Sequence, residues 1–241
     1  KYGSGANRDY NELVALPDVN YFKSTTSNYK GGQYRMGLGA QYESYQRGKW
    51  FVRLAAIQGV SQTDTAYNPQ SYFYWKSGKT YNYTDIRSRV SYTPNHIFNF
   101  QIGLDHNFIG EGSRSMFLDD YGKPYPFGLI RARFWRLEYS ILYQFMREGE
   151  HKNWEGKFAS SHHISFNAAK WFNIGLFETV IFQPKDTLLN RGFDAEYLNP
   201  LVFYRPQEYS LGSSDNVLIG LEMSAKFKQH TAYFQFILDE F

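Results

Sequence analysis

Apolar and polar residues alternate along most of this 241-residue chain. Phe98, Phe100, Ile102 and Leu104 stand against Asn99, Gln101, Gly103 and Asp105. The pattern resumes with Ile130, Ala132, Trp135, Leu137, Tyr139, Ile141 and Tyr143, interleaved with Arg131, Arg133, Arg136, Glu138, Ser140 and Gln144. A period of two sustained over such lengths predicts strands, because successive strand side chains point to opposite faces. An ordinary sandwich core has no means of burying so many arginines. One face is therefore expected to be apolar and the other wet. The expected fold class is all-β, an antiparallel transmembrane β-barrel of the outer membrane.

Read in order, residues 1–32 carry little periodicity and are expected to form an N-terminal arm and loop, with Asn11 to Pro17 as a short strand or extended arm. The barrel is expected over 33–241. Tyr34, Met36, Leu38, Ala40 and Tyr42 oppose Arg35, Gly37, Gly39, Gln41 and Glu43, and a polar turn at Gln46 to Lys49 leads to Trp50, Val52, Leu54 and Ala56. Strands of about ten residues suit a tilted membrane crossing. Long loops are expected at 61–84, 106–126, 147–156 and 182–216, although the first has room for one or two short strands. The count comes to about ten to twelve strands. After the last one no partner is evident to close the circle, so either the two ends pair or further strands exist.

Composition sharpens this picture. Mean hydropathy is -0.55, and no stretch approaches the apolar run of a membrane helix, which does not exclude a barrel. Aromatic residues make up 20% of the chain, with 21 Tyr, 21 Phe and 5 Trp; aromatic girdles at the two membrane interfaces would use them. The net charge of +3 is too weak to imply a nucleic-acid partner. With no cysteine, a disulfide framework or a thiolate metal site is ruled out. The chain opens at Lys1 without a signal peptide, which reads as a mature form or an excised piece.

A polar knot interrupts the alternation: His106-Asn107-Phe108-Ile109-Gly110-Glu111-Gly112-Ser113-Arg114-Ser115-Met116-Phe117-Leu118-Asp119-Asp120, then Lys123-Pro124-Tyr125-Pro126. It resembles the signature of the capsule assembly protein Wzi-like family and of related gliding-motility-associated outer-membrane barrels of Bacteroidota. Further likeness lies in Tyr197-Leu198-Asn199-Pro200-Leu201, Tyr204-Arg205-Pro206, Gly212 to Asn216 and the closing Gln235 to Phe241. The resemblance runs from about residue 85 to the end. Met116 and Phe117 depart from the pattern, standing where leucines are usual. Members of the family are longer, so the resemblance implies a partial chain of a larger barrel. It also implies a non-enzymatic protein that binds or retains surface or capsular polysaccharide in the cell outer membrane, touching lipid and glycan. The alternative is an accessory subunit of a Bacteroidota outer-membrane complex for gliding motility, protein secretion or glycan uptake.

Candidate polysaccharide-binding or lumen residues are Glu111, Arg114, Asp119 and Asp120 in the knot and Arg131, Arg133 and Arg136 on the following strands. Adjacent Asp119 and Asp120 would point apart on an extended backbone, which argues against a catalytic pair. A structural role is the stronger expectation, with Arg114 paired to a carboxylate and the glycines letting the knot fold into the lumen. The strand arginines are expected to pair with Glu43, Asp85, Asp105 and Glu138; the functional reading is recognition of an acidic polysaccharide through the guanidinium fork. Tyr72, Tyr74 and Trp75 are the loop aromatics suited to sugar stacking or partner contact. His162 and His163 point to opposite faces, and neither a metal nor another cofactor is expected.

Overall fold

Every regular element among the described residues is a strand. The computed structural model describes residues 9–24, 31–62, 73–112, 114–148, 155–183 and 216–239. The strands are β1 (Tyr10–Ser24), β2 (Gly31–Gln46), β3 (Trp50–Ser61), β4 (Phe73–Ser77), β5 (Thr80–Tyr92), β6 (Phe98–Asp105), β7 (Tyr125–Phe134), β8 (Leu137–Glu148), β9 (Glu155–Ala169), β10 (Phe172–Phe182), β11 (Asn216–Phe227) and β12 (His230–Asp239). They form one antiparallel sheet in the order β1-β2-β3-β5-β6-β7-β8-β9-β10-β11-β12, with β4 pairing β5 off this path. Among the described residues β1 and β12 are its two ends and do not pair with each other.

One expectation is corrected and one open alternative is decided. The N-terminal arm is a full strand: β1 pairs with β2 from Tyr10↔Tyr45 to Ser24↔Gly31. Its signal is blurred because Val14 and Leu16 lie on the same face as Glu12, Asp18 and Asn20, and Pro17 argues against a strand. As an edge strand, β1 accommodates the proline's missing N–H. The loop expected at 61–84 contains β4 and the first turn-proximal residues of β5, joined through Gly78 at φ 63°. The run Tyr72-Phe73-Tyr74-Trp75 is aromatic at every position, so no alternation shows there. The excursion at 182–216 lies almost wholly outside the described residues, as do 149–154 of the loop expected at 147–156.

Contacts divide the chain into two units, Lys1–Thr93 with Gly103–His106 and Tyr121–Pro124, and Pro94–Ile102 with Asn107–Asp120 and Tyr125–Phe241. In the first unit Met36, Leu38, Leu54 and Val60 stand exposed, Leu38 at 68%, while Arg35 and Asp85 on the opposite face are buried at 7% and 3%. In the second unit Ile102, Leu176, Phe234 and Phe236 are exposed, while Ser140, Gln144, Ser161, Thr179, Glu222 and Ser224 on the other face are buried. This reverses the usual arrangement of a water-soluble protein, in which charged residues are rarely inside and large apolar patches are covered.

From β6 onward the chain lengths between the described strands alternate. Six or more residues separate β6 from β7, β8 from β9 and β10 from β11, and the turns at 135–136, 170–171 and 228–229 have two. Trp135 and Lys228 open their turns at φ 55° and 51°, the left-handed values that tight hairpins demand. Aromatics gather at these turns: Trp135 tilts against Phe166 at 6.0 Å, and Trp171 against Phe172 and Phe227, each at 5.6 Å.

Candidate functional site

The knot between β6 and β7 folds back onto the polar face of the second unit. Ile109 and Leu118 form an antiparallel bridge, their N–H groups donating to each other's carbonyls at 3.0 and 3.3 Å. Between them Gly110 and Gly112 hold φ of 122° and 84°, a backbone path that residues with a Cβ avoid. Phe117 lies flat on Phe177, and Ile109, Phe127, Leu129 and Leu142 complete a small buried core. β12 clamps the other side: Gln235 Nε2 donates to Ser115 Oγ at 3.1 Å, and the Met116 N–H donates to Gln235 Oε1 at 3.1 Å. Phe117 fills the seat over Gly220, where a Cβ would stand 2.8 Å from the ring Cζ.

Next to this core the same face turns polar and encloses a cavity of about 300 Å³. Phe108, Ile109, Gly110 and Glu111 of the knot wall one side; Arg131, Glu138, Ser140, His163, Glu222 and Ser224 come from the strands. His163 Nε2 lies 2.7 Å from Glu222 Oε1, so with the carboxylate accepting, this nitrogen carries the hydrogen. The other carboxylate oxygen, Glu222 Oε2, is buried with no hydrogen-bond partner. Gly175, opposite Glu222 in register, makes room for it, since a Cβ there would meet Oε1 at 2.6 Å. Arg131 Nε stands 3.2 Å from Glu138 Oε1, yet it has no hydrogen bond. Their contact is an ion pair at poor angle, because Arg133 takes the other Glu138 oxygen. Asn173 Nδ2 donates to Ser165 Oγ at 2.8 Å and to Asn167 Oδ1 at 3.1 Å. The rim is formed by Lys170, exposed Trp171 and Lys226, whose N–H donates to the Trp171 carbonyl at 2.8 Å.

Of the predicted site residues, Glu111 and Arg131 meet in this cavity. Arg133 shares Glu138 from outside it, and Arg136 sits exposed at the turn, donating to the Ala168 carbonyl at 3.2 Å. Asp119 is half-buried and Asp120 exposed, and neither lines the cavity. Arg114 is exposed, and among the described residues no carboxylate pairs with it. Apolar stacking and the Gln235 clamp hold the knot instead. Tyr74 and Trp75 lie in β4 of the first unit, with the Lys123 ammonium 5.1 Å over the Tyr74 ring; Tyr72 lies outside the described residues. Glu222, Asn173 and Trp171 were not singled out beforehand, and His163 was weighed only as a metal ligand. A sequence signal existed for Glu222, the one acid in the polar alternation of β11, but its partner His163 is 59 residues away.

In the first unit Arg35, Arg53, Arg87 and Arg89 are ion-paired. Asp105 takes both Arg53 and Arg89, the latter at 3.1 Å, and Arg87 pairs with Asp85 at 2.6 Å. Asp18 pairs with Arg35 at 2.6 Å and accepts from the Tyr83 hydroxyl at 2.8 Å, while the Arg35 guanidinium sits 4.0 Å over the Tyr83 ring. Asp85 and Asp105 are expected partners; Asp18 is not among them, because it belongs to the segment read as an arm. Such balanced pairs stiffen a polar face without giving it a strong net field.

Among the described residues no group of three or more His, Asp or Glu is placed to share a metal ion. No protein-family model matches the chain, and no curated protein matches it.

Proposed function

We propose that this chain is an outer-membrane β-barrel protein, whole or in part, that retains surface polysaccharide and catalyses no reaction. The reversed polarity of the sheet carries the reading: buried Arg35, Asp85, Asp105 and Glu222 on one face, exposed Leu38, Ile102, Phe234 and Phe236 on the other. A bilayer is the environment in which that exposed face costs nothing. Alternation of long connections with two-residue turns, and the aromatics at those turns, support the same reading. For the glycan, support comes from the cavity's chemistry, with hydroxyl, amide and carboxylate groups beside an exposed tryptophan, and from the motifs of residues 106–126. A second reading is an accessory subunit of a larger outer-membrane complex. The edges of β1 and β12 favour it: among the described residues neither has a second strand beside it, and open strand edges invite pairing with another chain.

Gentle extraction from the native membrane, with mass spectrometry of co-eluting proteins and composition analysis of co-eluting glycan, separates the two. Bound surface glycan is the expected result. A stoichiometric set of partner proteins without glycan would overturn it in favour of the accessory subunit.

A further inference from the structure

We infer that the cavity of the second unit is a subsite for a single neutral sugar residue, entered from the end of the sheet that carries the two-residue turns. The inference rests on the glycan reading above and adds the site, the ligand chemistry and the direction of entry. A buried carboxylate oxygen without a donor is costly; Glu222 Oε2 is such an atom, and Glu222 is 3% exposed. It asks for a hydroxyl donor. Arg131 lines the same cavity with a single poorly aligned ion pair and so retains donors for a hydroxyl oxygen. Pyranose hydroxyls both donate and accept, the two roles that a carboxylate and a guanidinium in the lining ask for.

Size and charge narrow the class. At about 300 Å³ the space lies at the small end of ligand pockets, which suits one ring rather than an oligomer in extended contact. Glu111, Glu138 and Glu222 stand against Arg131, Lys170 and Lys226, so the lining has no cationic excess to draw a uronate past the buried Glu222 carboxylate. Trp171 is 52% exposed on the rim, where an indole offers an apolar platform to the C–H face of a sugar. Lys170 and Trp171 form the β9–β10 turn and Lys226 is next to the β11–β12 turn, so the open side of the cavity is the short-turn end. In barrels of the outer membrane short turns face the periplasm. The ligand is accordingly a glycan residue presented from the periplasmic side.

The test uses the full chain in a detergent without a sugar headgroup, titrated with methyl glucoside, methyl galactoside, methyl mannoside and methyl glucuronide by saturation-transfer NMR. At least one neutral glycoside is expected to bind saturably in the millimolar range. Glu222→Gln and Trp171→Ala should each weaken it by at least about tenfold, and Lys79→Ala in the first unit should leave it unchanged. Circular dichroism and heat-modified gel mobility report whether each variant folds; Trp171 sits at an exposed turn, so its variant keeps the test decisive if Glu222→Gln does not fold. No saturable binding, equal binding by both site variants, or a preference for the glucuronide would each overturn the subsite. Native polysaccharide retained while all methyl glycosides fail would overturn the subsite and leave the surface-glycan reading standing. The opposite pattern would support the subsite and remove surface retention.

Discussion

Phe117 and Phe177 stack with ring centroids 4.8 Å apart and planes 3° from parallel. They come from a connection and from a strand 60 residues further on, both buried below 10%, and their contact decides where the knot lies. Beside this stack the segment is held by the Ile109↔Leu118 bridge and by the two Gln235 hydrogen bonds from β12.

Phe117→Ala should therefore release the knot. The loss of a buried aromatic costs about 3–5 kcal/mol when the site does not collapse, and urea titration in micelles would measure it. Trypsin cleavage after exposed Arg114 should quicken in the same variant. Unchanged cleavage would mean that the Gln235 clamp alone holds the segment.

Tyr83 lies across Gly37 and Gly59, and a Cβ at Gly59 would meet its hydroxyl at 2.5 Å and the Gly37 Cα at 2.6 Å. Backbone cannot yield as a side-chain tip would. Gly59→Ala is expected to cost about 1–3 kcal/mol through overpacking and to dislodge the Tyr83 hydroxyl from Asp18. Tyr83→Phe in the Gly59→Ala background should then cost less than Tyr83→Phe alone, a coupling that a double-mutant cycle reads directly.

Asp105 holds Arg53 and Arg89 from a nearly fully buried position. Asp105→Ala leaves two guanidinium groups without their anion, and breaking a buried pair from one side costs about 3–5 kcal/mol. Removing Arg89 as well should restore part of the loss. Both single variants and the double can be compared by equilibrium unfolding; strictly additive costs would show that the triad is not a coupled unit.

Leu38 faces outward from the middle of β2 and Gln41 lies on the opposite face. If the apolar face meets lipid, Leu38→Arg should destabilise the protein folded in vesicles by roughly 2–4 kcal/mol, whereas Gln41→Arg should cost far less. Equal, small effects in vesicles would argue that the exposed apolar face is covered by protein.

Alternation made the strands from Gln33 to Gln46 and from Phe98 to Asp105 legible, along with which residues share a face, because backbone geometry imposes a period of two on every strand whatever its neighbours. It failed at β1, where apolar residues occur on both faces and only pairing with β2 makes the segment a strand. It failed again at β4, too short for a period to register. In the candidate site, Glu111 and Arg131 were recognisable as polar residues at unusual positions, but not as neighbours.

The sequence by itself determined the all-β character, the polar and apolar faces, and the turn at Gln46 to Lys49. Tertiary structure alone decided that His163 meets Glu222, that Arg53 and Arg89 share Asp105, and that the knot lies on Phe177. The physical reason is range. Side-chain direction follows from the local backbone, whereas a meeting between residues 52 or 59 positions apart depends on strand order and register, which are set by the summed pairing of strands far apart in the chain.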